Sequence, residues 1–178
     1  MADRQEAYPV AGRPGLAAMS PAYFGLVMAT GIVSLAAFLM EHRSVALGLF
    51  YLNVAQYAVL CVLYVLRACR HPRRFFGDMV AHLTGPGYFT AVAGTGVLAS
   101  QFIVIRDNLV VGEALWAVTA LLWVGLTYTI FTALTVRREK PTLDKGINGG
   151  WLLAVVATQA LSVSSALLAT RIGQPHRL

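Results

Sequence analysis

Two stretches of this chain are nearly the same: Pro21-Ala22-Tyr23-Phe24-Gly25-Leu26-Val27-Met28-Ala29-Thr30-Gly31-Ile32 and Pro86-Gly87-Tyr88-Phe89-Thr90-Ala91-Val92-Ala93-Gly94-Thr95-Gly96-Val97. Pro, Tyr, Phe, Val, Thr and Gly recur at an offset of 65 residues. Self-similarity at a fixed long period marks a repeated supersecondary unit. Each copy opens an apolar, uncharged run of about 20 residues, which is what a helix needs to cross the hydrocarbon core of a bilayer. The repeat thus reads as the start of a membrane-spanning helix, used at least twice.

Working outward, the whole chain has the same character. Of 178 residues, 57% are hydrophobic and only 12% are charged, against roughly 25% charged in an ordinary globular domain. So few charges cannot clothe a water-soluble surface. Five apolar runs are legible, at about 21–40, 45–66, 87–105, 109–136 and 150–170. They are about twice the length a β-barrel strand needs and lack polar alternation. With no water to satisfy backbone groups, helix is what remains. The fold class expected is an all-α membrane protein of about five transmembrane helices, with residues 1–19 before them and 171–178 as a tail. About 20 residues that include Asp3 and Glu6 precede the first run, and no small-residue cleavage site follows it. That predicts a retained span rather than a removed signal peptide.

The net charge of +6 raises the question of nucleic acid, but the basic residues all lie at the ends of the apolar runs or between them. The run Arg67, Arg70, His71, Arg73, Arg74 joins two spans and has no stacking aromatics at regular spacing. It reads as a topology signal, and no nucleic-acid partner is expected. Ten Lys and Arg fall on one side: Arg4, Arg13, Arg67, Arg70, Arg73, Arg74, Arg137, Arg138, Lys140 and Lys145. Four fall on the other: Arg43, Arg106, Arg171 and Arg177. The positive-inside rule then predicts a multi-pass protein of the plasma or inner membrane with its N-terminus in the cytoplasm.

Cys61 and Cys69 have no metal-ligand spacing, so neither a disulfide framework nor a metal site is expected. No His cluster, carboxylate pair or Ser-His-Asp set lies in the spans; no catalytic residue, enzyme activity or cofactor is expected. No charged residue or His occupies the centre of any span, where a proton relay or cation site would need one. Glu113, Asp78 and His82 fall near span ends.

The fifth run continues the repeat more weakly, with Trp151, Val155 and Thr158 at the positions of Tyr23, Val27 and Thr30. The unit is therefore a helical hairpin of about 64 residues whose first helix carries the signature. Residues 23, 27, 30 and 34 share one helix face, as do 88, 92, 95, 99 and 151, 155, 158, 162. Two roles fit this face. Gly, Thr and other small residues let helices approach closely; alternatively, repeated helices ring an axis and line a path. On the second reading the pore-lining candidates are Phe24, Thr30, Gly31, Ser34, Phe89, Thr95, Gly96, Thr158 and Gln159. Basic rims with a neutral, hydroxyl-bearing middle would suit a small anion.

These residues resemble the tellurite-resistance/C4-dicarboxylate transporter family, which includes TehA-like and plant slow-anion-channel proteins. The likeness is carried by Pro21-Ala22-Tyr23-Phe24 with Met28-Ala29-Thr30-Gly31-Ile32, by Tyr88-Phe89 to Gly96, and by Gly149-Gly150-Trp151 leading to Val155-Val156-Ala157-Thr158-Gln159. It covers roughly residues 18 to 170. The resemblance implies ten helices in five hairpins with quasi-fivefold symmetry, the odd-numbered helices lining a central pore. This chain holds about two and a half repeats, a partial pore fold. That implies either a fragment or a half-length protein that forms a homo-oligomer or takes a further chain to complete the pore. The family's gating phenylalanine sits on a late odd-numbered helix, so no residue here takes that role. The function implied is transport of small anions by a channel or carrier: C4-dicarboxylate, tellurite-related or inorganic anions. The alternative is a truncated or non-transporting membrane scaffold, with membrane lipid as its surroundings in either case.

Overall fold

A computed structural model of the protein describes residues 15–136 and 149–172. The basic residues Arg4, Arg13, Arg137, Arg138, Lys140, Lys145 and Arg177 lie outside them. Six helices are present among the described residues: α1 (Gly25–Leu39), α2 (Arg43–Arg70), α3 (Pro72–Met79), α4 (Phe89–Ile105), α5 (Leu109–Val136) and α6 (Leu152–Ile172). No strand occurs among the described residues. Five of the helices, with their leading turns, are long and apolar enough to cross a membrane; α3 is the exception.

The repeat signature has a direct structural meaning. Each of α1, α4 and α6 is entered through a 3-10 turn, at Pro21–Phe24, Gly85–Tyr88 and Gly149–Trp151. Pro21 and Pro86 sit in the first two positions of their turns, where a missing N–H costs nothing and a fixed φ favours helix entry. The hairpins α1–α2 and α4–α5 close through short turns, each with one left-handed non-glycine residue, Glu41 (φ 64°) and Asp107 (φ 51°). Asn108 then caps α5, its side-chain oxygen accepting from the Val111 N–H at 3.1 Å.

The hairpins do not lie in a row of equals. The span containing α4 is 78% buried within the chain, whereas the other four are 17–22% buried. The α4 helix packs against α1 on one side and α6 on the other, with α2 and α5 behind. The result is an inner layer α1–α4–α6 and an outer layer α2, α5. The α2 helix shows why it faces inward as it does: Phe50, Asn53, Tyr57, Leu60, Tyr64 and Arg67 follow each other at alternating spacings of three and four residues, one stripe of a helix. All are buried or half-buried, while Val59, Val62 and Val65 on the other side are exposed, as a lipid-facing surface is.

The structure departs from the sequence reading between residues 66 and 87. A single loop was the expectation there; instead α2 continues to Arg70 and is followed by α3. The physical reason is Arg67. Its guanidinium is 1% exposed and is held by Asp78 on α3, by the Tyr88 hydroxyl, to which it donates at 3.4 Å, and by the Phe75 ring 5.9 Å away. Tyr88 in turn donates to the Phe75 carbonyl at 2.8 Å. Arg67 is thus a structural ion pair that ties α3 under the rim, as well as a charge near the membrane surface.

Candidate functional site

The three inner helices run parallel and leave a groove of about 240 Å³ along the side opposite α2 and α5. Its lining comes from Met28, Ile32 and Leu35 of α1, Ala93, Val97 and Ser100 of α4, and Val156, Gln159, Ala160 and Val163 of α6. The repeat explains the set. Met28, Ala93 and Val156 are equivalent positions, as are Ile32, Val97 and Ala160, and Leu35, Ser100 and Val163. Three rungs therefore cross the groove, each drawn from the same place in three repeats. The surface is almost wholly apolar. Its polar groups are the Ser100 hydroxyl, which donates back to the Gly96 carbonyl at 3.0 Å, and the exposed side chain of Gln159.

Close approach of the inner helices rests on two glycines that the repeat also makes equivalent. A Cβ at Gly31 would stand 2.5 Å from Val97 Cγ1, and one at Gly96 would stand 3.1 Å from Ala160 Cβ and 3.2 Å from its carbonyl. Each glycine thus receives the middle-rung residue of the next inner helix. The third equivalent position is Gln159, so the pattern changes on the free side of α6.

The outer helices are joined to the inner ones by polar contacts between repeats. The Thr95 hydroxyl donates to the Ala91 carbonyl at 2.7 Å and so receives the Tyr57 hydroxyl at 3.1 Å. The Thr158 hydroxyl likewise donates to Ala154 at 2.9 Å and receives the Trp123 indole N–H at 2.9 Å. Tyr57 and Trp123 are 66 residues apart, Thr95 and Thr158 63 apart. It is one joint built twice: the outer aromatic of one hairpin donates to the threonine of the next inner helix.

The residues singled out from the sequence take the following places. Phe24 is buried, edge-on to Tyr57 and Tyr64 at 5.8 and 4.9 Å between ring centroids. Phe89 is buried beside Phe131 at 6.4 Å. Ser34 is buried and donates to the Ala46 carbonyl at 2.8 Å, tying α1 to α2. Gly31, Gly96 and Thr95 are buried between helices. Thr30 is half-buried on α1, and Thr158 is exposed under Trp123. Gln159 alone of the nine lines the groove. Sequence reasoning missed Tyr57, Trp123, Asn53 and Gln101. Asn53 donates to Gln101 at 2.6 Å, both fully buried. The outer helices carry their own weaker repeat at an offset of 66 residues, Phe50 with Trp116 and Tyr57 with Trp123, and that signal would have found the two aromatics.

Among the described residues no group of three or more His, Cys, Asp or Glu side chains could hold a metal ion. What the architecture defines is a multi-pass α-helical membrane protein made of repeated hairpins, with one inner helix per hairpin. The chain belongs to the voltage-dependent anion channel family, which it matches over residues 18–178. Two curated relatives, both described as uncharacterized transporters of Methanocaldococcus jannaschii, are 28% and 24% identical over 153 and 151 residues. These alignments cover 83% and 82% of this chain but 44% of each relative. The chain thus spans less than half the length of the curated relatives it matches. No solved structure matches it significantly.

Proposed function

We propose that the groove between α1, α4 and α6 is one wall of a membrane path for small anions. The observation that carries this reading is the register of the lining: three rungs, each made of the same repeat position on three successive inner helices. A face conserved in register by an internal repeat but left apolar and unfilled is what a shared axis requires. Electrostatics support the choice of anions. Three inner helices place their N-terminal, positive dipole ends at the same rim, and Arg70, Arg73 and Arg74 are exposed at that rim on α2 and α3. The apolar rungs would act as a dewetting constriction between polar mouths. Gln159 offers amide N–H groups to an anion that has lost part of its hydration shell. C4-dicarboxylates, tellurite-related oxyanions and inorganic anions are the substrate classes proposed.

The test is anion flux in vesicles reconstituted with the protein and any chain that completes it, over a panel of these three classes. Ile32 is 51% exposed in the groove, so Ile32→Trp adds bulk to the path without filling a helix contact. Flux is expected to fall to the level of protein-free vesicles, with expression and thermal stability unchanged. Gln159→Leu is expected to change the order of preference among the anions. Normal flux and selectivity in both variants would remove the groove from the path.

The same reading places the N-terminal rim in the cytoplasm, because the ten-to-four split of Lys and Arg puts the basic side there. A reporter fused after Leu178 should then read as external and one inserted next to Arg74 as cytoplasmic. The opposite pattern would invert the orientation.

A further inference from the structure

We infer that the corner between α2 and α3 is a binding site for the headgroup of an anionic phospholipid, whose acyl chain runs down the exposed stripe of α2 that ends at Arg70. The inference concerns the lipid-facing side of the rim and is independent of any solute.

Length sets the depth of the corner. The α2 helix has 28 residues and is therefore roughly 42 Å long, against roughly 30 Å for the hydrocarbon core and roughly 40–45 Å with the headgroup layers. Its last turn thus stands among the headgroups when the helix is centred in the bilayer. The Arg67–Asp78 pair ties α3 there, with the Phe75 ring 5.3 Å from that of Tyr88 and Met79 buried. Phe76 is left 59% exposed, an apolar ring for the acyl boundary, as on a helix that lies in the interface.

Charge fixes what the corner attracts. A notch of about 360 Å³ is lined by Arg70 at the end of α2, His71 at the turn, and Pro72, Arg73 and Arg74 of α3. All three arginines are exposed. The ion pairs among the described residues are Arg67 with Asp78 and Arg171 with Asp107. Asp78, the one acidic residue between Arg67 and Gly87, is thus taken by a buried arginine, and three guanidinia line the notch with no carboxylate paired to them. Planar guanidinium forks match the oxygens of a phosphate.

The surface below the notch decides between a lipid and a free anion. Val59, Val62, Leu66 and Arg70 follow one another at spacings of three, four and four residues, one stripe of α2. The three apolar members are 57%, 59% and 39% exposed, and the stripe runs roughly 16 Å down the helix from Arg70. Guanidinia joined to an exposed apolar track fit an amphiphile whose phosphate and chain are adjacent; inorganic phosphate uses only the first half.

The full chain is prepared with benzoylphenylalanine in place of Val62 or, as a lipid-facing control in mid-span on α5, of Leu121. Each is reconstituted in vesicles of equimolar phosphatidylglycerol and phosphatidylcholine with identical acyl chains, irradiated, and its lipid adducts weighed by mass spectrometry. The ratio of phosphatidylglycerol to phosphatidylcholine adducts is expected to be about fivefold higher at position 62 than at 121, the enrichment that one basic residue near an anionic surface supplies. Arg70→Lys keeps the charge but loses the fork, and should lower the ratio at 62. The triple variant Arg70→Gln, Arg73→Gln, Arg74→Gln should bring it to that at 121 with an unchanged thermal midpoint. Equal ratios at 62 and 121 in the parent chain would overturn the site. So would a ratio at 62 that ignores Arg70→Lys and falls only in the triple variant, because that is diffuse attraction to a basic rim. Millimolar glycerol phosphate should leave the ratio standing; if it abolishes the enrichment, the occupant is a free anion and the lipid assignment fails.

Discussion

Gly96→Leu is expected to unfold the inner layer. At this position a Cβ already meets Ala160 at 3.1 Å, and the next nearest atoms are the Ala160 carbonyl carbon and oxygen, both at 3.2 Å. Backbone cannot rotate away as the tip of a side chain can, so a leucine must push α6 off α4 along its length. Overpacking a tight contact costs roughly 1–3 kcal/mol, occasionally more, and here the upper end applies because no neighbour can yield. In lipid the loss is not offset by any hydrophobic gain, since the exposed leucine would find the same apolar surroundings on either side. Thermal unfolding of the purified protein in detergent should show a large drop in midpoint for Gly96→Leu and a smaller one for Gly96→Ala. A leucine variant that melts with the wild type would mean that α4 and α6 are not in contact at this point. Gly31→Leu should be at least as damaging, because a Cβ there already meets the stiff Val97 Cγ1 at 2.5 Å and Asn53 Nδ2 at 2.8 Å, and Asn53 is held in a fully buried hydrogen bond to Gln101.

Asp78→Asn should release α3 from the rim. Arg67 is 1% exposed and Asp78 is 37% exposed, so the two partners are not equally at risk. Without the carboxylate a buried guanidinium keeps only the Tyr88 hydroxyl and the Phe75 ring, and its Nε already has no partner. Removing one member of a fully buried ion pair costs about 3–5 kcal/mol. Solvent reaches Asp78, which screens the pair, and a loss of about 2 kcal/mol is the expectation. Hydrogen exchange should report it locally: the backbone amides of α3 after Pro72 lose protection while those in the middle of α4 do not. Arg67→Met combined with Asp78→Asn should recover much of the loss, because the stranded charge is then gone. If Asp78→Asn leaves exchange in α3 unchanged, the ion pair is not what holds that helix.

Much of this protein was legible before any coordinates. Long uncharged runs have one solution in a bilayer, because each backbone N–H and C=O must be bonded within the segment. Five spans followed from that, and the hairpin repeat from the matching words at 21–32 and 86–97. The repeat also singled out Thr30, Gly31, Thr95, Gly96 and Thr158, and periodicity put the three threonines on equivalent helix faces.

Which face looks where was decided only by tertiary structure. In water an amphipathic stripe tells a helix which way to turn; in lipid the surroundings are as apolar as the helix, and periodicity loses that information. Neighbours then set the rotation, through a glycine that admits Ala160, a threonine that accepts from Trp123, and an aromatic that covers Phe24. For that reason the repeated signature face is buried between helices on α4, partly so on α1 and mostly exposed on α6, and the groove is lined by the adjacent stripe from Met28 to Leu35 and its equivalents. Arg67 makes the same point at the rim. Its sequence position says only that a charge ends a span, while α3 folding back beneath α2 brings Asp78 to it and turns a surface charge into a buried pair.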